Sequence, residues 1–292
     1  MDTVIILWCL SIGGIVSAIL IFLARRFPLQ IGRFLPPNII SIIHAPIIWI
    51  GYFALLHSSR PVLQILGFQK VVFGGVLDAV DGMVARGVDR LIALQILPQE
   101  EVKFALEKGW TEFYNIFYPA VEKELDKGNT HIKIYGIKVA ISPPKSRLKQ
   151  LFYLGGTPIG KHVDPLFDKA GMLPLFFSIS WELCFLDLKF TYFNFVIFIC
   201  AIIGYLIIAV DLIGTLIRFF KPQWLKDAKS TMVGKNKVHA QWGWLLLFEL
   251  FGREWVMDES PLGILFLTIF LSGILIMGIG SITSKLKVDL YY

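Results

Sequence analysis

Four aspartates stand out by type and spacing. LDAVDGMVAR, residues 77–86, places Asp78 and Asp81 three apart, and GKHVDPLFDK, residues 160–169, places Asp164 and Asp168 four apart. On a helix either spacing sets both carboxylates on one face. Gly82 and Ala85 leave the first face open, and Gly160 stands one turn before Asp164. Two helices that each present a carboxylate pair can together form an all-oxygen site for one or two hard divalent cations such as Mg²⁺. The competing reading is plain end-of-helix charge, neutralised near lipid head groups by Arg86, Lys161 or Lys169. For either pair alone the two readings stand level. Both pairs together, with glycines on the same faces, favour the site, because carboxylates within apolar spans line polar cavities or bind ions.

The elements that must position these residues are membrane helices. The 292 residues are 55% hydrophobic and 17% charged, with mean hydropathy +0.66, well above the apolar content of soluble domains. Six or seven stretches, near 3–23, 38–57, 63–86, 160–182, 191–219, 239–256 and 261–283, are long enough to cross a bilayer. The first has no basic flank before it and no small-residue cleavage site before Arg25 and Arg26, so it reads as a retained signal anchor. With the N-terminus outside, Lys and Arg concentrate in the inner loops, which sets the orientation and accounts for the net charge of +6 without nucleic acid. Cys9, Cys184 and Cys200 all fall in apolar segments and support neither a disulfide framework nor a zinc site.

Residues 87–159 interrupt this pattern because they are too polar to be a span. After Pro98 the spacing predicts one or two amphipathic helices with Glu100 and Glu101 in the first turn, and HIKIYGIKVAI predicts a hairpin around Tyr135-Gly136. The expected product is a small cytosolic α+β insertion on the membrane surface.

Read together, Asp78-x-x-Asp81-Gly82-x-x-Ala85-Arg86 and Gly160-x-x-x-Asp164-x-x-x-Asp168 resemble the signature of the CDP-alcohol phosphotransferases. Pro37-Asn38-Ile39-Ile40-Ser41 is similar to the P-N-x-x-T/S opening of that family's first helix. Thr157 precedes Gly160 in its T-x-x-G arrangement, and Gly234-Lys235-Asn236-Lys237 with Gln241 is similar to its G-K-x-K-T-x-x-Q loop. One departure is large: family members join the arginine to the second glycine by eight or nine residues, whereas here the insertion intervenes. The resemblance implies an all-α integral membrane protein, a six-helix bundle carrying in addition an N-terminal transmembrane helix and the α+β insertion. Residues 1–35 would be the anchor and basic linker, 36–86 and 157–285 the catalytic bundle, 87–156 the insertion and 286–292 a tail.

The resemblance also implies an activity. An alcohol hydroxyl attacks the lipid-linked phosphorus of CDP-diacylglycerol, CMP leaves, and a phosphodiester forms. Asp78, Asp81, Asp164 and Asp168 would hold Mg²⁺ or Mn²⁺, two ions in all, with Asp168 also the catalytic base. Asn38, Ser41, Gly82, Arg86, Thr157 and Gly160 would contact the CDP donor. The segment from Val163 to Lys169 is similar to the L-D-P-x-A-D-K form of phosphatidylglycerophosphate synthases, with Phe167 replacing alanine. Arg218, Lys235 and Lys237 would then receive a phosphorylated acceptor, glycerol 3-phosphate first among them. Asp211 and Arg218 echo that branch's R-E-x6-R stretch, but Val210 stands where its first arginine would be. Inositol phosphate, phosphatidylglycerol, serine or another alcohol remain open as acceptors. The resemblance further implies a homodimer with its active site at the cytoplasmic face, here of a prokaryotic inner membrane. Two readings from other classes stay open: a cation or proton transporter, since carboxylates also build ion paths, and a scaffold acting through its insertion.

Overall fold

The computed structural model describes residues 3–158, 160–185, 192–220, 232–252, 255–256, 258 and 260–283. The chain is mostly helical and divides into two compact units, Cys9–Phe167 and Asp168–Tyr292 with Met1–Trp8. Among the described residues four helical stretches are long and apolar enough to cross a membrane: Pro37–Leu56, Val62–Ile96, Phe195–Ile217 and Pro261–Thr283. A fifth is added if Ile12–Arg26 and Pro28–Phe34, bent by 108°, form one span. This is an α-helical membrane protein. The stretch expected near 160–182 is a helix too, but Lys161, Asp164, Asp168, Lys169 and Glu182 make it more polar than those four.

In the Cys9–Phe167 unit, α1 (Thr3–Arg26) ends at Arg25-Arg26, and Pro28 opens the short α2 (Pro28–Phe34). Proline is suited to this first position, where its missing N–H has no helical partner to lose. The helix α3 (Pro37–Trp49) starts the same way and runs on through a π-helical turn, Ile50–Leu56. It packs on α4 (Pro61–Ile96), where side chains added at Gly67 and Gly74 would collide with Leu56 and Ile48. Small residues let membrane helices approach this closely. A core of Ala24, Ile40, Leu77, Val80 and Val84 joins α1, α3 and α4.

The sequence reading ended the α4 span at Arg86; the helix continues ten residues further, to Ile96. At 36 residues it is about 54 Å long, more than the roughly 30 Å hydrocarbon core needs. Nothing in residues 87–96 breaks a helix, and their apolar positions have a partner: Val88, Ile92 and Ala93 are buried with Val102, Ala105, Phe113, Phe117, Ile134 and Val139 of the insertion.

Where the spacing predicts one or two helices the insertion has two, α5 (Gln99–Lys108) and α6 (Trp110–Asp126), followed by β1 (His131–Ile134) and β2 (Ile137–Ala140). The strands pair antiparallel with Ile134 opposite Ile137, and Tyr135 and Gly136 form the turn, both at positive φ. A short helix, α7 (Arg147–Gln150), leads back toward α8 (Gly160–Phe185).

In the second unit, α9 (Tyr192–Phe220) and α10 (Met232–Leu247, continuing as a π-helical turn to Gly252) both pack against α11 (Pro261–Thr283). Phe176 of α8 stacks on Trp244 of α10 at 5.3 Å between ring centres.

Candidate functional site

The chain returning from the insertion is tied to α3 and α4 by polar contacts. Asn38 donates from Nδ2 to the Gln150 carbonyl at 2.7 Å and to Thr157 Oγ1 at 3.1 Å. Thr157 Oγ1 in turn accepts the amide of Gly160, the first residue of α8, at 2.9 Å, satisfying one of the amides that a helix start leaves without an intrahelical partner. A Cβ on Gly160 would stand 2.8 Å from Asn38 Oδ1 and 3.1 Å from Thr157 Oγ1. Glycine here lets the start of α8 lie against Asn38, a packing role beside the nucleotide contact expected of it.

This docking brings the two acidic motifs together. Ser41 Oγ, on α3, lies 2.5 Å from Asp81 Oδ2 on α4 and 2.9 Å from Asp164 Oδ1 on α8. Ser41 is 1% exposed and Asp81 5% exposed, whereas Asp164 is half-buried, so the junction is reached from the Asp164 side. Among the described residues neither carboxylate has an ion-pair partner. Asp78 lies one turn before Asp81, close enough for its charge to bear on that carboxylate. Among the described residues, no group of three or more His, Cys, Asp or Glu side chains is gathered as a ready metal site. The carboxylates meet as a pair about a hydroxyl.

Arg86 folds back over Gly82, where an added Cβ would be 3.2 Å from Arg86 Nη2. Its guanidinium also sits over the ring of Trp110, at the start of α6, 5.7 Å from the ring centre. The insertion therefore touches a residue of the signature directly.

Sequence reasoning missed Asp89. It is 2% exposed and accepts from the Gly156 amide at 3.1 and 3.2 Å and from the Tyr114 hydroxyl at 2.9 Å. One carboxylate thus holds α4, α6 and the loop before Thr157. Side chains on Gly155 or Gly156 would strike its oxygens. The available signal is its spacing from Asp78, which it follows by eleven residues, about three helical turns, so that it continues that residue's stripe. Burial pushes the Tyr114 phenol well above its ordinary range, and the nearby Asp89 charge adds to the effect. Burial also raises that of Tyr153.

The remaining expected residues lie in the second unit. Asp168 pairs with its neighbour Lys169 at 3.5 Å, and Lys169 also reaches Asp211 on α9 at 3.5 Å. Lys237 on α10 forms a close ion pair with Asp211, whose other oxygen accepts from Gln241 Nε2 at 2.7 Å. Two acids and two bases therefore form a charge-balanced network joining α8, α9 and α10. Lys237, expected to receive an acceptor phosphate, is 7% exposed and engaged in this network. The side chains of Arg218 and Lys235 lie outside the described residues.

No family model, curated protein or solved structure matches the chain.

Proposed function

We propose that this protein is a CDP-alcohol phosphotransferase with that family's six-helix bundle. It would transfer a phosphatidyl group from CDP-diacylglycerol to a small alcohol and release CMP. The observation that carries this reading is the Ser41 hydroxyl between Asp81 and Asp164. Two motifs separated by a long insertion meet on a side chain that itself belongs to the third, P-N-x-x-S, element of the resemblance.

The donors fit hard cations. Carboxylate and hydroxyl oxygens, without sulfur or imidazole, suit Mg²⁺ or Mn²⁺, and the Asp81–Asp164 pair has no described cationic partner. Asp78, Asp81, Asp164 and Asp168 would hold two ions, which when bound neutralise diphosphate charge and polarise the phosphoryl oxygens. The chain's own groups do the rest. Arg86 offers its planar fork to a donor phosphate, with Trp110 limiting where the guanidinium can swing. Asn38, Ser41, Thr157, Gly82 and Gly160 shape the donor's resting place. The base role falls to Asp168 by the resemblance: it takes the acceptor's hydroxyl proton as the new oxygen–phosphorus bond forms and the bond to CMP breaks.

Glycerol 3-phosphate is the proposed acceptor, giving phosphatidylglycerophosphate, with Arg218, Lys235 and Lys237 receiving its phosphate. Lys237 must then share its charge between Asp211 and the acceptor. The enzyme would work as a homodimer with its site at the cytoplasmic face of a prokaryotic inner membrane.

The deciding experiment incubates purified protein and Mg²⁺ with labelled CDP-diacylglycerol and, in turn, glycerol 3-phosphate, inositol phosphate, phosphatidylglycerol and serine. CMP and phosphatidylglycerophosphate are expected with the first. No CMP with any acceptor, with either Mg²⁺ or Mn²⁺, sinks the proposal. Cation flux in liposomes that Asp168→Asn abolishes, without CMP chemistry, would assign transport instead.

A further inference from the structure

On the side of α4 away from the aspartates the Cys9–Phe167 unit opens a cavity of about 490 Å³. Arg90, in its wall, follows Asp81 by nine residues, which is about half a turn round the helix. Arg25 and Arg26 reach the same cavity from the end of α1, and Tyr135 reaches it from the hairpin turn. Gly87 forms the floor where α2 crosses α4, a contact so close that a Cβ there would stand 2.6 Å from Pro28 Cβ. No carboxylate lines the cavity. Among the described residues none of the three arginines has an ion-pair partner. Three positive charges gathered about one space repel one another, and a bound anion relieves the repulsion.

Tyr135 supplies a second, independent observation. It adopts φ 50°, the left-handed region that asparagine and glycine fill at little cost in such a turn. A tyrosine held there stores strain of about 1 kcal/mol or more. Its side chain is 77% exposed, so the hairpin core gains nothing from it. What the position achieves is to bring Tyr135 into the lining of the arginine cavity.

The cavity is also amphiphilic and lies at a particular depth. Phe27, Leu91 and Leu94 flank the arginines. Arg25 and Arg26 close the apolar run of α1 just before the chain bends by 108° into α2, and basic residues at such a helix end stand at head-group level. We propose that this cavity binds the phosphate-bearing head group of an anionic membrane lipid. The guanidinium forks take the phosphate oxygens, and the exposed Phe27 beside Arg25 and Arg26 meets the start of the acyl chains. The volume lies within the range of ordinary ligand pockets. This site is separate from the proposed transfer reaction and does not depend on it.

The test reconstitutes the full chain in phosphatidylcholine vesicles doped with phosphatidic acid, extracts it in mild detergent and reads retained lipid by native mass spectrometry. Wild type is expected to keep one phosphatidic acid in preference to phosphatidylcholine. Arg90→Gln should weaken retention roughly tenfold, the loss expected for one charge-assisted contact. Arg33→Gln, on α2 but not lining the cavity, should leave it unchanged. If Arg90→Gln fails to fold, Arg26→Gln, at an exposed helix end, gives the same reading. Equal losses in Arg33→Gln and the cavity variant would overturn the proposal in favour of diffuse surface charge. Phosphatidylcholine retained as well as phosphatidic acid would overturn it, as would inorganic phosphate binding as tightly as the lipid.

Discussion

Ser41 has one proton to donate, yet the Pro37 carbonyl, Asp81 and Asp164 all lie within 3.1 Å of its oxygen. Only one of the two carboxylates can receive that proton. The hydroxyl therefore holds two carboxylates of like charge close to one another, an arrangement that a bound cation would favour. Ser41→Ala removes the oxygen and adds no bulk. It should cost one charge-assisted hydrogen bond, about 1.5–3 kcal/mol, and free Asp81 and Asp164 to move apart. If that geometry positions the reacting groups, kcat/KM for CDP-diacylglycerol falls roughly ten- to a hundredfold, and half-maximal activity requires more Mg²⁺. Ser41→Thr, which keeps the hydroxyl, should retain more activity than Ser41→Ala. The assay is CMP release at saturating acceptor across a Mg²⁺ series, with thermal unfolding recorded in parallel. A folded Ser41→Ala protein with unchanged kcat/KM and unchanged Mg²⁺ requirement would refute the assignment of this junction as the reaction site.

Three further outcomes follow from the geometry. Asp211→Asn leaves Lys169 and Lys237 facing each other with only Asp168 to balance them; breaking a buried network this way costs about 3–5 kcal/mol, readable as a large drop in melting temperature in detergent. Gly155→Ala forces a methyl group into Asp89 and should destabilise the insertion by about 1–3 kcal/mol, seen as faster proteolysis between residues 87 and 159. Alkali should loosen the same region. Because burial raises the folded pKa of Tyr114 and Tyr153 above the unfolded value, their contribution is fully present below about pH 10 and is lost as pH rises from there through the folded pKa. Tyr114→Phe should flatten that alkaline loss, and an unchanged pH profile in the variant would count against it.

Much of this protein is legible in one dimension. Apolar run lengths mark most of the helices, and the change from apolar runs to amphipathic periodicity marks the insertion, including its hairpin at Tyr135-Gly136. The side-by-side placement of Asp78 with Asp81 follows from helical spacing alone. These features depend on interactions within a few residues, where bond geometry and local hydropathy dominate. The end of α4 was not legible in that way. Whether Val88, Ile92 and Ala93 continue a helix or begin a loop depends on what covers them, and their cover is Phe113, Phe117 and Val139, residues of the insertion itself.

The amino-acid pattern by itself determined that this is a helical membrane protein, which residue types could do chemistry, and that two acidic motifs stand on either side of residues 87–159. Tertiary structure alone decided how the Asp81 and Asp164 halves are joined: Asn38 holds Gln150 and Thr157, and Asp89 holds Gly156 and Tyr114, so α8 starts with Asp164 against Ser41. It also decided that Lys237 is committed to Asp211 and that Arg25, Arg26 and Arg90 share one cavity. Each of these is a contact between residues tens or more positions apart. Its free energy arises only when burial and charge are settled in three dimensions, so no spacing rule along the chain could have carried it.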